Sequence, residues 1–77
     1  MRNIFKKVIE EINPFDDFEE DTNLLEEGIL DSLTLMVFIE RIEEEFNIII
    51  PEKEVVLENF ATIKTIEKLV NRFYIRN

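Results

Sequence analysis

The chain contains no cysteine and no histidine. The first absence removes disulfides, thiolate metal sites and cysteine nucleophiles. The second removes zinc sites of the usual kind, Ser-His-Asp triads and imidazole acid–base catalysis. Glycine occurs once, at Gly28, and proline twice, at Pro14 and Pro51. No apolar run approaches the ~20 residues of a membrane helix, so membrane insertion is not expected. The opening stretch Met1-Arg2-Asn3-Ile4-Phe5-Lys6-Lys7 lacks the apolar segment of a signal peptide. The expectation is a soluble, cytoplasmic protein.

What is present is a short, acidic chain. Its 77 residues suit one domain spanning 1–77. Apolar residues make up 45%, enough for a core rather than a disordered acidic tail. Nine Lys and Arg against eighteen Asp and Glu give a net charge of −9. That charge repels phosphate backbones, so nucleic acid is not an expected partner. A partner steered by this field presents a basic surface.

Periodicity sets out the elements. Ile4, Phe5, Val8, Ile9 and Ile12 recur at helical spacing, and Pro14 ends that helix near residue 13. Residues 14–31 show no sustained period; a connection of this length is often functional. Gly28 within it calls for a turn with positive φ. A second helix spans about Ser32 to Phe46. Leu35, Phe38, Ile39, Ile42 and Phe46 form its core stripe. Leu33, Met36 and Val37 fall on the opposite side, followed by Glu40 and Glu44. A chain this small has little material to cover both sides. One short helix is expected near Leu57–Phe60. Thr62 caps the last helix, which runs to about Tyr74 with Ile63, Ile66, Leu69, Val70 and Phe73 inward. The expected fold is all-α: a small four-helix bundle with three longer helices, a short third one and a long first loop. Tyr74 and the seven phenylalanines are expected in or near the core.

Ser32 is the sole serine. Asp31 and Ser32 at a helix start read first as ordinary caps. A capping box is not expected, since Thr34 and Leu35 stand where Glu or Gln would be wanted. If Asp31 is the cap, Ser32 is the first helical residue and its hydroxyl is spare. It then lies at the positive end of a helix dipole, a favourable place for phosphate, beside the apolar Leu33, Met36 and Val37.

With Leu24-Leu25-Glu26-Glu27-Gly28-Ile29-Leu30-Asp31-Ser32-Leu33, then Glu43-Glu44-Glu45-Phe46 and Ile50-Pro51, the chain resembles the acyl carrier protein family, peptidyl carriers included. The resemblance runs from Ile4 to Phe73. It implies that Ser32 receives 4′-phosphopantetheine from coenzyme A through a separate phosphopantetheinyl transferase. The arm's thiol then carries an acyl or aminoacyl thioester, so a chain without cysteine obtains its sulfur from a cofactor. The protein itself would catalyse nothing. Asp31 would serve the cap and transferase recognition. Leu33, Met36, Val37, Glu40 and Glu44 would meet partner enzymes. Those partners would be an adenylating acyl or aminoacyl ligase and a downstream acyl transferase or synthase of a biosynthetic pathway, with the carrier a monomer. Fatty-acid carriers place carboxylates where Thr34 and Val37 stand. The stretch Glu58-Asn59-Phe60-Ala61-Thr62-Ile63 is instead similar to discrete peptidyl or D-alanyl carriers.

The alternative is an acidic helical adaptor that binds a basic partner through the second helix without modification. A small hydrolase would have only carboxylates as general bases. A calcium loop starting at Asp17 fails, because its sixth position is Thr22 rather than glycine. Glu43-Glu44-Glu45 reads as a solvated face, with Arg41 pairing to Glu44 or Glu45. Lys64, Lys68 and Arg72 suit the later turns of a helix.

The excess of carboxylates makes one prediction. Moving from low to moderate salt raises the melting temperature, because screening relieves repulsion among them. A flat or falling melting point would contradict it.

Overall fold

The computed structural model describes residues 1–74. Three α-helices appear in order: α1 (Arg2–Ile12), α2 (Ser32–Phe46) and α3 (Ile63–Phe73). Two short 3₁₀ helices, Glu52–Glu54 and Leu57–Phe60, fill the connection between α2 and α3. The expected short third helix is therefore present at Leu57–Phe60 but wound as 3₁₀. The turn at Glu52–Glu54 was not foreseen in the sequence. It follows Pro51, whose carbonyl accepts the Glu54 N–H at 2.9 Å.

The predicted stripes are the buried ones. Phe5, Val8 and Ile9 of α1 meet Leu35, Phe38, Ile39, Ile42 and Phe46 of α2. Ile63, Ile66, Leu69 and Val70 of α3 complete the core. Phe5 lies edge-on to Phe38 at 6.4 Å and tilted on Phe46 at 5.6 Å. Phe46 in turn meets Tyr74 edge-on at 5.4 Å. Such contacts add roughly 1 kcal/mol each beyond the buried area. No polar or charged side chain is buried among the described residues.

α1 ends where proline requires. Asn13 leaves the helical region at φ −135°, and its N–H donates to Ile9 O at 2.8 Å. α1 and α2 run antiparallel: Phe5 meets Phe46 at one end, and Glu11 meets Arg41 at the other, 2.8 Å apart. Arg41 thus reaches across to α1 rather than along its own helix to Glu44 or Glu45. Arg2 joins α1 to α3 through two 3.1 Å bonds to Glu67. Lys6 and Arg2 both hold Glu20 in the loop, at 3.2 and 3.4 Å. The Arg2 bond keeps the Glu67 carboxyl below its ordinary pKa. Lys6, and then Arg2, do the same for Glu20. In α3, Arg72 pairs with Glu54 at 2.8 Å, while Lys64 and Lys68 face solvent.

The long loop is pinned by apolar residues, as its composition implies. Leu24, Ile29 and Leu30 are buried; Phe18 and Leu25 are half-buried. Phe15 departs from expectation. It is 94% exposed and touches no part of the core. It follows Pro14 in a turn leaving α1, with nothing opposite it to pack on.

Leu24 therefore behaves as a core residue although it sits in a loop. Leu24→Ala should lower the unfolding free energy by about 3 kcal/mol, the usual cost of emptying a buried leucine site. Urea denaturation measures it. A loss under about 1 kcal/mol would show the loop is not part of the core.

Candidate functional site

The site grows out of the second half of the loop. Asn23 starts it as a side-chain turn: its Oδ1 accepts the N–H groups of Leu25 and Glu26 at 3.2 and 3.0 Å. Leu24 N–H donates to Ala61 O at 2.7 Å, tying the loop to the start of α3. Leu30 N–H returns to Leu24 O at 3.0 Å, closing the turn around Gly28. Gly28 has φ 73°, the left-handed conformation expected of it. A Cβ there would meet nothing within 4 Å, so the demand for glycine is one of backbone angle alone. With Ile29 and Leu30 sunk into the core, the next residue emerges at the surface as the helix begins.

Asp31 is the N-cap of α2. Its Oδ1 accepts the N–H of Leu33 at 3.0 Å and of Thr34 at 2.9 Å. Thr34 Oγ1 reciprocates, accepting the Asp31 N–H at 2.8 Å. This is a capping box, contrary to the sequence expectation. Threonine at the third helical position does the work sought only from Glu or Gln. The same device recurs at α3 between Thr62 and Thr65. Bonds from the Thr34 N–H first, and then its hydroxyl, hold the Asp31 carboxyl below its ordinary pKa.

The cap also revises the electrostatics at Ser32. Of the first three amides of α2, Asp31 takes those of Leu33 and Thr34 and leaves that of Ser32. The positive end of the helix is already answered by a carboxylate.

Ser32 is exposed, and among the described residues nothing bonds to its hydroxyl. Leu33 is 76% exposed, Met36 50% and Val37 43%, so the second apolar side of α2 is uncovered. Glu40 and Glu44 continue down the helix, exposed and, among the described residues, without a salt bridge. Glu43 belongs elsewhere: its carboxylate accepts the Ile50 N–H at 2.9 Å and secures the chain after α2. The structure brings together every residue singled out from the sequence on one helix and its cap. Reading from sequence missed Thr34 and Asn23, which shape the site. Their signals were present in an Asp-x-x-Thr spacing and an Asn just before a turn.

A small bundle with one spare hydroxyl at a helix start, beside an uncovered apolar strip, has the form of a carrier domain that is modified from outside. A family model described as "Phosphopantetheine attachment site" matches residues 1–73. A D-alanyl carrier protein of Lactococcus lactis subsp. cremoris (strain MG1363) is 39% identical over 61 residues, covering 77% of each chain. One from Lactococcus lactis subsp. lactis (strain IL1403) is 38% identical over the same length and coverage. No solved structure matches significantly. The chain belongs to the phosphopantetheine-attachment family, and it is an acyl or aminoacyl carrier whose cofactor is covalent 4′-phosphopantetheine.

The cap yields the prediction for this site. Asp31→Ala should lower the melting temperature by roughly 5 °C, the size a lost N-cap produces in a domain this small. Because the folded carboxyl titrates below its unfolded value of about 3.9, its stabilisation is complete above that pH. It is lost as pH falls through the lower folded value. The gap between the wild type and Asp31→Ala therefore closes on acidification. Melting curves from neutral pH to about pH 3 measure it. A gap independent of pH would show that the charge plays no part.

Proposed function

We propose that Ser32 is the attachment point of the arm, and that residues 1–77 act as one carrier domain without catalytic activity of its own. One observation supports this above the rest: the chain's sole serine is exposed, unbonded and fixed at the first position of a capped helix. Its hydroxyl is a nucleophile that the fold does not use. In the modification, Ser32 Oγ forms a bond to the β-phosphorus of coenzyme A. The bond to the bridging pyrophosphate oxygen breaks, and adenosine 3′,5′-bisphosphate leaves. The hydroxyl proton passes to a base on the transferase. When attached, the arm supplies a thiol that carries the cargo as a thioester.

The cap and the strip have separate tasks. Asp31 fixes the direction in which α2 leaves the loop and so where Ser32 stands. Its own charge repels a phosphodiester, so it recognises the transferase rather than holding the phosphate. Leu33, Met36 and Val37 offer a dry contact to enzymes that act on the arm. Glu40 and Glu44 extend that contact toward basic side chains. The relatives are D-alanyl carriers. By that likeness the cargo is a small aminoacyl group, D-alanine, loaded by an adenylating ligase and passed to a downstream acyl transferase. Cytoplasmic residence follows from the need for coenzyme A and ATP. No helix among the described residues is long and apolar enough to cross a membrane.

Coexpression with a broad-specificity phosphopantetheinyl transferase should raise the intact mass by one phosphopantetheine, and Ser32→Ala should abolish the increase. Leu33→Glu should keep its helicity, since that side chain lies outside the core, yet slow loading by roughly tenfold or more. An unmodified wild type would contradict the carrier reading. Unfolding of Leu33→Glu would instead place that residue in the core.

A further inference from the structure

Among the described residues, the most exposed of the large apolar side chains lies outside α2. Phe15 is 94% exposed. Single exposed apolar residues are ordinary, so its position must carry the argument. Asn13, two residues before it, donates through Nδ2 to Asp16 Oδ2 at 3.0 Å and to Ile29 O at 3.3 Å. The first bond spans the Pro14–Phe15 turn and holds it. The second ties the turn to the strand of loop that leads into Ser32. Chain reach then limits the separation of the Phe15 and Ser32 backbones to less than roughly 28 Å. The antiparallel packing, with Phe5 on Phe46 and Glu11 on Arg41, sends the end of α1 in the direction of the start of α2. Phe15 is thus presented from a held turn at the Ser32 end of the molecule.

Its surroundings are acidic. Asp16, Asp17, Glu10 and Glu11 are all exposed nearby in sequence, and among the described residues only Glu11 of these is in a salt bridge. An exposed aromatic ring in an acidic stretch fits an apolar pocket with a rim of Lys or Arg.

Resting on the carrier reading above, we propose that Phe15 is a second anchor for the phosphopantetheinyl transferase, which seats the ring in a basic-rimmed apolar pocket while it holds Ser32. The transferase is the occupant because its reacting atom is Ser32 Oγ itself. It must therefore cover the surface around that serine. A standard interface buries roughly 800 Å² per partner, a patch some 30 Å across, which is as wide as the largest separation the chain allows the two residues. A ligase works on a thiol at the far end of the arm and has no such obligation. The held turn means little ordering is lost on docking.

Transferase kinetics test this, with coenzyme A saturating and the carrier varied. Phe15→Ala and Phe15→Lys should each raise KM for the carrier at least fivefold, about the loss expected of an aromatic anchor, with kcat within about twofold. Both should melt at the wild-type temperature, because the ring touches no core residue. An unchanged KM in both variants would overturn the proposal, as would a fall in kcat alone. So would a clear loss of thermal stability in both, which would assign Phe15 to the fold. Wild-type modification is the control that separates the two claims. If it fails, the carrier reading fails; if it succeeds and KM does not move, only the role of Phe15 fails.

Discussion

A helix that is apolar on two sides cannot bury both in a chain of 77 residues. The fold settles this for α2 by giving one side to α1 and the core and leaving the other to solvent. Everything about the site follows from which side is left. Leu35, Phe38, Ile39, Ile42 and Phe46 turn inward, so Leu33, Met36 and Val37 must turn outward, and Ser32 stands at their head. The uncovered strip lowers stability relative to a fully covered helix, and a carrier recovers that cost only when a partner docks.

The loop before α2 is as much a part of the machinery as the helix. Eighteen carboxylates in a small body leave little tolerance for a wandering connection. Leu24, Ile29 and Leu30 bring it into the core, and a single glycine lets it turn back on itself. Asp31 then caps the helix with help from Thr34. The result is a hydroxyl whose position is fixed by its neighbours although it bonds to none of them. That suits the proposed attachment point of the arm.

Much of this was legible in the residues. Strong 3.6-residue periodicity located three helices to within a residue or so, and the wheel of α2 separated buried from exposed correctly. The unique serine after Asp31, with Gly28 upstream and Ile50-Pro51 downstream, carried the family. What escaped had physical reasons. A 3₁₀ turn such as Glu52–Glu54 is too short to show a period. Thr34 closes a capping box through its hydroxyl, outside the Glu or Gln pattern. Arg41 chose Glu11 over Glu44 and Glu45 because tertiary packing sets α1 beside it. Phe15 looked like core by its type, yet the turn after Pro14 carries it away from every apolar neighbour.

Locating the added group on the chain tests the account most directly. After modification, peptide-level tandem mass spectrometry should place the phosphopantetheine on the fragment holding Ser32 and on no other hydroxyl, with Thr34 next to it unmodified. An arm found on a threonine or on Tyr74, or a Ser32 peptide that stays bare under a competent transferase, would contradict it.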